Sequence, residues 1–301
     1  RLQQAAIMAI LVAGWLWWIA EKPVVATSFI VLLVAALVYQ LRWIIPYTPL
    51  WPEEVKQSKE SLPDRELTIL TSNVLMTNDN YQGLKDLVSE YQPDMLVTLE
   101  SNKEWEEALA DIHPDYPHRI SCPLENLYGM HLYSKLPFSR QEMRYVVEDD
   151  VPSIQIDVMI DNERVTIYFL HPKPPSPTEN ETAGPRDAEL AIIGKEVAEH
   201  TNPVIVSGDL NDVAWSPTTR KFRALSKALD PRRGRGFFNT FHAEYKLVRW
   251  PLDHIFHSKH FSLKEIERLP GYGSDHFPLF TRLQLNPRED GLSSSGRQTG
   301  K

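Results

Sequence analysis

Asp209 and Asn211 are placed by their spacing to act together. They follow residues 204–206, a Val-Ile-Val run that predicts a short buried strand. Residues two positions apart on extended backbone point to the same side, so a carboxylate and a carboxamide would meet at the end of this strand. Reacting groups and ligands commonly lie at that end in α/β sheets. A strand that ends in an ordinary Asp/Asn turn is the alternative, and this stretch alone leaves it open.

Other polar side chains stand at or near the ends of further predicted strands. They are Asn73, Glu100, His171, Asp253, Asp275 and His276. Carboxylates suit Mg²⁺ or Mn²⁺, and imidazole groups stabilise phosphoryl charge or transfer a proton near neutral pH. Hydrolysis of a phosphate ester needs both functions and a positioned water molecule. The structural alternatives are a turn cap for Asn73, a solvated helix start for Glu100 and a loop histidine for His171.

His254, His257 and His260 invite comparison with a zinc site. Residues three positions apart on a strand point to opposite faces of the sheet. This spacing does not gather imidazole groups around one ion, and we do not expect zinc here.

The elements that would position these residues alternate between strand and helix. A strand at 67–72 leads into Asn73, an amphipathic helix spans 80–91, and a strand at 95–99 leads into Glu100. Further segments are predicted as strands at 127–133, 154–160, 165–170 and 253–256 and on either side of 271–278, and as helices at 187–200 and 216–229. This order predicts an α/β domain whose polar groups lie at strand ends.

Two uncharged apolar stretches precede that domain, at 5–20 and 24–41. As helices they would be roughly 24 and 27 Å long, against a hydrocarbon core of about 30 Å. Aromatic residues stand near their ends, where amphipathic rings favour the membrane interface. A signal peptide would not be followed by a second apolar stretch, and a buried helical hairpin is the other alternative. We predict a transmembrane hairpin at 1–45 and, because the sequence starts at Arg1 rather than Met, a segment ahead of it.

The remaining predicted regions are a proline-containing linker at 46–66, a soluble domain at 67–286 and a disordered tail at 287–301. The net charge of −8 argues against a broad basic surface for non-specific nucleic-acid binding. It still permits a local site for an anionic substrate. The single cysteine excludes an internal disulfide.

Six short motifs, taken in order, resemble the endonuclease/exonuclease/phosphatase (DNase I-like) superfamily, and most of all a bacterial membrane-anchored branch. The motifs are Ser72-Asn73-Val74, Leu99-Glu100, Phe169-Leu170-His171, Ser207-Gly208-Asp209-Leu210-Asn211, Leu252-Asp253-His254-Ile255-Phe256 and Gly273-Ser274-Asp275-His276-Phe277-Pro278. The resemblance covers about residues 66–285. It implies a four-layer α/β sandwich of two mixed β-sheets flanked by helices, with a site for Mg²⁺ or Mn²⁺ at one edge.

The resemblance also implies roles for the residues around the metal. Glu100 would be the principal ligand, with Asn73 beside it and Asp275 next to the ion. Asp209 would orient or deprotonate the attacking water, and Asn211 would hold that water or a phosphoryl oxygen.

It implies roles for the histidines as well. His276, oriented by Asp253, would contact the scissile phosphate, and His171 would donate to a non-bridging or leaving oxygen. This sequence departs from the repair-type nucleases at Leu75, where those enzymes often carry an aspartate. The departure argues against an abasic-site nuclease. Clear counterparts of the inositol 5-phosphatase substrate signatures are also missing.

These observations predict a membrane-anchored phosphoesterase that hydrolyses phosphodiester bonds, with a nuclease as the first hypothesis. A lipid or small-molecule phosphodiesterase is the second, and an inactive membrane scaffold is an alternative of another class. The loop of Arg232–Arg235 with Phe237 and Phe238 could grip a phosphate and stack a base, or it could be an ordinary basic loop. The sequence does not predict an oligomeric state.

The charges beside the two apolar stretches predict which side of the membrane holds the domain. Two spans return the chain to its starting side, so Arg1 and Arg42 flank one face and Lys22 flanks the other. The positive-inside rule then favours the cytoplasmic side of a bacterial inner membrane. Three spans with a cytoplasmic start would place the domain outside.

Overall fold

The computed structural model describes residues 2–19, 23–174 and 182–287. These residues divide into two compact units, 1–54 with 232–237, and 55–231 with 238–301. The predicted disordered tail lies outside the described residues from 288 onward, as does 175–181 of the loop that follows His171.

The first unit contains two apolar helices, α1 (Leu2–Ile19) and α2 (Pro23–Ile44). Large apolar side chains are exposed along both, with Trp18 81% and Leu32 66% accessible. Among the described residues, one helical stretch, Thr27–Tyr47, is long and apolar enough to cross a membrane, and a shorter apolar stretch spans Ala6–Trp18. An N-terminal apolar helix is therefore present, and the transmembrane hairpin stays a prediction.

The second unit is built on two mixed sheets. One has the order β10-β11-β1-β2-β4-β3, with the strands β1 (Glu66–Asn73), β2 (Met95–Leu99), β3 (His118–Cys122), β4 (Met130–Ser134), β10 (Phe261–Arg268) and β11 (Leu279–Leu285). The other has the order β5-β6-β7-β8-β9, with the strands β5 (Phe138–Arg144), β6 (Ser153–Ile160), β7 (Glu163–Leu170), β8 (Val204–Asp209) and β9 (Asp253–His257).

Side-chain alternation along the strands divides this unit into four layers. Ile69 and Val97 belong to the core between the two sheets, and Leu70, their neighbour on the opposite face, packs with the first pair of helices. That pair is α3 (Tyr81–Tyr91) and α4 (Lys103–Ala108). The helices α5 (Gly184–Glu199) and α6 (Pro217–Ser226) cover the second sheet in the same way. The predicted four-layer sandwich of two mixed sheets is confirmed.

The structure differs from the predicted elements at the sheet edges. β3 and β5 are absent from the prediction, and both are edge strands. Four consecutive residues of β5, 139–142, are exposed, so the strand carries little of the apolar alternation that identifies buried strands. The strand predicted at 127–133 begins at Met130 instead, because Tyr128 N donates to the Asn126 side chain in a turn.

Helix α6 begins as predicted and ends three residues early. Ser216 accepts a hydrogen bond from Thr219 N at 2.9 Å, with Pro217 as the first helical residue. Lys227 then adopts a left-handed conformation with φ of +58°, which ends the helix before Leu229. In the predicted linker, Val55 is buried in the core between the sheets and Gln57 pairs with Leu263. The domain boundaries otherwise stay predictions.

Candidate active site

Parallel strand pairs bring four of the predicted residues to one edge of the two sheets. Asn73 pairs with Leu99 where β1 and β2 run parallel, so Asn73 and Glu100 emerge together. Leu170 pairs with Gly208 where β7 and β8 run parallel, so His171 and Asp209 do the same in the other sheet.

Asn73 links the two sheets at this edge. Its Nδ2 donates to Glu100 Oε1 at 2.7 Å and lies 3.3 Å from Asp209 Oδ2, while its Oδ1 accepts from Leu75 N at 3.1 Å. One carboxamide thereby orients two carboxylates and is itself held by the backbone. The turn cap that was the alternative for Asn73 is present, and it fixes the amide instead of competing with a site role.

Local backbone conformation aims the polar groups. Glu100 and Asn211 have φ of +56° and +51°, in the left-handed region that residues other than glycine seldom occupy. Gly208 has φ of +143°, and a Cβ there would collide with the carbonyl oxygen of Leu170. Only glycine therefore allows β8 to approach β7 closely just before Asp209.

His276 and Asp253 form a buried pair opposite Asp209. His276 Nδ1 lies 2.8 Å from Asp253 Oδ2, and its Nε2 lies 3.5 Å from Asp209 Oδ2. Ser274 fixes the backbone of this segment, because its Oγ donates to Asn73 O at 2.7 Å and accepts from His276 N at 3.0 Å. The segment that carries His276 is thereby fastened to the end of β1.

The two histidines of the site differ in their pKa. Burial lowers the pKa of His276, but the negative charges of Asp253 and Asp209 and the hydrogen bond that His276 donates to Asp253 outweigh it and raise the pKa to about 10. Burial lowers the pKa of His171 to about 4, and Asp209, whose Oδ2 lies 3.9 Å from His171 Nε2, offsets this only in part. At neutral pH the structure thus favours an imidazolium at His276 and a neutral imidazole at His171.

Carboxylates crowd around Glu100. Burial, helped by the charges of Asp275 and Asp209, raises the pKa of Glu100 to about 7, against the lowering by the hydrogen bond from Asn73 and the charge of His276. Asp275 Oδ1 is buried and has no hydrogen-bond partner within the described part of the chain. Convergent carboxylates with an unsatisfied buried oxygen suit a hard divalent cation, whose charge would relieve the repulsion.

A second grouping of potential ligands also exists at the site. Ligand atoms of Asp209, Asp253 and His276 lie within 4.8 Å of one another among the described residues. The Nδ1 of His276 and Oδ2 of Asp253 already bond to each other, so a metal on these atoms would break that pair. Glu100 Oε1 is bonded as well, to Asn73 Nδ2 at 2.7 Å, whereas the Asp275 Oδ1 beside it is without a partner among the described residues.

Asn211 is held by the loop that follows His171. Its Nδ2 donates to Pro172 O at 3.0 Å, and its backbone N donates to Asp209 Oδ1 at 2.8 Å. The residue lies at the site, and its amide ties the ends of β7 and β8 together. Its predicted hold on water or a phosphoryl oxygen stays a prediction.

Sequence reasoning missed Arg186, in the first turn of α5. Its side chain is 7% exposed, and Nη1 donates to Asn211 O at 2.7 Å while Nη2 lies 3.5 Å from Asp212 Oδ2. Arg186 therefore holds the loop that carries Asn211 in place. An arginine just inside a helix start has no sequence signal that separates it from surface arginines, because its partners lie in a distant segment.

The basic loop at 232–237 belongs to the first unit. Arg235 Nη2 lies 2.7 Å from Glu53 Oε2, and Arg233 Nη1 lies 3.3 Å from Glu54 Oε1. Both arginines are thus paired with glutamates inside that unit. This favours the ordinary basic loop over a phosphate-gripping loop.

Comparison with known proteins agrees with this geometry. A profile of the Endonuclease/Exonuclease/phosphatase family matches residues 70–276. A UPF0294 protein of Vibrio campbellii (strain ATCC BAA-1116) is 29% identical over 100 residues, which are 33% of this chain and 34% of that protein. The match therefore spans only about a third of that curated relative.

Solved structures share the fold at low identity. D. rerio TDP2 complexed with single strand DNA product has a TM-score of 0.62 at 14% identity and covers 73% of this chain and 99% of its own. The human Nocturnin catalytic domain has a TM-score of 0.59 at 16% identity, covering 75% and 97%. Sphingomyelinase C from Streptomyces griseocarneus has a TM-score of 0.54 at 16% identity, covering 72% and 99%. Since the profile matches more than half of the chain and includes every predicted site residue, the chain belongs to the endonuclease/exonuclease/phosphatase family.

Proposed function

We propose that this phosphoesterase is a divalent-metal-dependent phosphodiesterase anchored to a membrane. The observation that carries the proposal is the placement of the Asp209 carboxylate between the Asn73–Glu100 pair and the two histidines. In this arrangement a base, an ion site and cationic and neutral imidazole groups converge on one point. Those are the groups that hydrolysis of a phosphate ester requires.

The proposed ion is Mg²⁺ or Mn²⁺, held by Glu100 with Asn73 and Asp275 beside it. The ion would neutralise negative charge on the phosphoryl oxygens. Its fit rests on the crowded carboxylates and on the buried Asp275 oxygen described above.

The proposed roles of the other side chains follow from their protonation and position. Asp209 orients the attacking water and accepts its proton. The imidazolium of His276, fixed by Asp253, donates to a phosphoryl oxygen and offsets its charge. The neutral imidazole of His171, packed at 5.3 Å from the Tyr128 ring, donates to a non-bridging or leaving oxygen. Asn211 holds the water or a phosphoryl oxygen.

Two substrate classes follow from this chemistry. A nuclease is the first candidate, in keeping with the motifs and with the likeness to a TDP2 structure that holds a DNA product. A lipid phosphodiesterase is the second, in keeping with the likeness to a sphingomyelinase. Arg233 and Arg235 are paired with glutamates and are therefore less available to bind a nucleic-acid backbone. This pairing favours the lipid phosphodiesterase.

The test is a substrate panel run on the full chain in detergent. Single- and double-stranded DNA, RNA, sphingomyelin and inositol phosphates are supplied with Mg²⁺, with Mn²⁺ and with EDTA. We expect hydrolysis of a phosphodiester that EDTA stops and that Asp209→Asn lowers by at least about 10²–10⁴-fold. Asp157→Asn, which alters a buried strand aspartate bonded to Thr166, is the matched control and should stay active. Folded protein without metal-dependent hydrolysis would instead support the inactive scaffold.

We further propose that the anchor lies in a bacterial inner membrane, with the domain on the cytoplasmic side. The support is the exposed apolar surface of α1 and α2 and the distribution of charge at their ends.

A further inference from the structure

An exposed apolar tip lies on the loop that leads away from the His276 segment. Leu247 is 91% exposed, Tyr245 55% and Val248 37%. Single exposed apolar residues are common on protein surfaces, but three within four positions form a cluster whose exposure to water is unfavourable. Lys246 stands between them and is exposed as well.

The base of this loop is joined to the candidate active site. The backbones of Phe241 and Trp250 pair with each other, and Phe241 also forms a bridge with His276. The rings of Phe241 and His276 lie 4.9 Å apart, and Ala243 N donates to Asp275 O at 2.6 Å. Leu247 lies three residues from Trp250, so its Cα is at most about 11 Å from the base of the loop.

The tip is held in shape by its own side chains. Arg249 Nε donates to Tyr245 O at 2.6 Å, and Arg249 Nη2 lies 3.3 Å from Ala243 O. The guanidinium also stacks over the Phe277 ring at 4.7 Å. The Tyr245 ring meets the His242 ring edge-on at 4.6 Å. Leu247 is therefore presented outward by a pre-organised loop, which lowers the ordering cost of binding.

The chemistry of the tip fits a lipid surface. The aliphatic side chains of Leu247 and Val248 match the acyl boundary of a membrane interface, and the exposed charges beside them, Glu244 and Lys246, cancel each other. A single-stranded nucleic acid would call for aromatic faces on which bases stack, and the most exposed residue here is an aliphatic leucine. The chain also carries an apolar helix of membrane-spanning length, so a bilayer is the apolar phase that it would meet.

We propose that residues 243–249 insert Leu247 into a lipid surface beside the active site, so that the enzyme acts on a phosphodiester carried by a lipid. The choice of substrate rests on the proposed phosphodiesterase function, whereas the insertion stands independently of it. The loop places a membrane interface next to His276, where the headgroup of an embedded lipid would present its phosphate.

Insertion is tested by fluorescence on the full chain. Cys122, the single cysteine, is changed to Ser, and Leu247→Cys is labelled with an environment-sensitive NBD group. The protein is placed in nanodiscs of phosphatidylcholine and phosphatidylglycerol. Met159→Cys, an exposed apolar position at the end of β6, is the matched control.

We expect the NBD group at 247 to shift to shorter wavelength and to be quenched by nitroxide-labelled lipid, with neither effect at 159. Equal behaviour at the two positions would overturn insertion. A response at 247 to a single-stranded oligonucleotide, without quenching by lipid, would assign the tip to nucleic acid and overturn it as well.

Substrate class is tested with Leu247→Asp. Hydrolysis of a lipid phosphodiester in vesicles should fall by about tenfold or more, and hydrolysis of soluble bis(p-nitrophenyl) phosphate should not change. An equal fall on both substrates, or no fall on lipid, would overturn the assignment. If the wild-type chain hydrolyses neither substrate, the proposed function fails, and the quenching result still decides insertion.

Discussion

The two site histidines differ in charge state because the carboxylates around them differ in number and distance. Two aspartates face His276, one at each ring nitrogen, and they outweigh the cost of burying its charge. Near His171 a single carboxylate lies at 3.9 Å, too far to offset burial. The charge of His276 is therefore set by the aspartates that face it and not by the histidine alone.

This pairing predicts non-additive substitutions. His276→Ala and Asp253→Ala should each remove most of the activity that the pair provides. The kcat/KM of the double variant should therefore lie only a little below that of the less active single variant. The check is a double-mutant cycle on kcat/KM, with circular dichroism to confirm folding. His276→Ala combined with Glu104→Gln, an exposed residue of α4, should be additive in log rate. A fully additive His276–Asp253 pair would contradict the assignment.

Glu100 combines a strained backbone with a buried carboxylate among like charges, and a bound cation would compensate for both. Glu100→Gln should raise the Mg²⁺ concentration that gives half-maximal activity by on the order of tenfold or more, with a smaller effect on substrate KM. Titration of activity against Mg²⁺ measures this directly. Glu104→Gln is the control, and an unchanged metal curve for Glu100→Gln would mean that Glu100 is not the metal ligand.

Helix α5 contacts the loop between β8 and α6 through its first turn, and it contacts the edge strand β5 near its last turn. Arg186 at its start bonds to Asn211 O and faces Asp212, while Arg144 on β5 makes two bonds to Glu196 near its end. Asp212 is further held by Ser216, and its carbonyl lies 2.8 Å from His254 Nε2. The loop between β8 and α6 is thus positioned from three sides.

Arg186 is therefore expected to act as a positioning residue. Arg186→Lys keeps the charge but cannot reach both Asn211 O and Asp212, so we expect kcat to fall by on the order of 10²-fold with little change in KM. Steady-state kinetics with a folding check measure this. Arg144→Lys keeps the charge but removes the two parallel bonds to Glu196 at the other end of α5, so it should lower stability without lowering kcat. Equal losses of kcat in both variants would mean that α5 only stabilises the fold.

At the scale of the whole molecule, the acidic chain combines an α/β unit of two sheets with an N-terminal unit whose helices expose large apolar side chains. The net charge of −8 makes long-range attraction of a polyanion weak, so the proposed ion and His276 would have to supply the local attraction for a phosphate. Membrane attachment would offset this by concentrating a lipid substrate at the site.

The side of the membrane is a prediction for the intact protein. Green fluorescent protein fused after Pro287 should be bright in a bacterial host, and alkaline phosphatase fused there should show little activity, because the positive-inside rule favours a cytoplasmic position for Arg42. The converse pattern would place the domain outside the cytoplasmic membrane. Such a result would leave the active-site assignments unchanged.

The sequence alone determines the central strands and the residues at their ends. The strands β1, β2, β7 and β8 are buried along most of their length, and their sequences are rich in apolar and β-branched residues. These segments lead into Asn73, Glu100, His171 and Asp209. The edge strands β3 and β5 face water along one side and carry no comparable pattern. Sequence therefore predicts the fold class and misses the edge strands β3 and β5, whereas the edge strands β9 and β10 are predicted. The roles of the site residues stay predictions.

Only the tertiary structure decides how those residues act together. The link from Asn73 to both Glu100 and Asp209, the Asp253–His276 pair and the hold of Arg186 on Asn211 all join residues more than twenty positions apart. Burial and the charges of distant neighbours then set the pKa of each histidine, and local sequence contains neither. The same holds for Arg233 and Arg235, whose acidic partners lie near residue 54. Chemistry at this site depends on distances in space, which spacing along the chain does not encode.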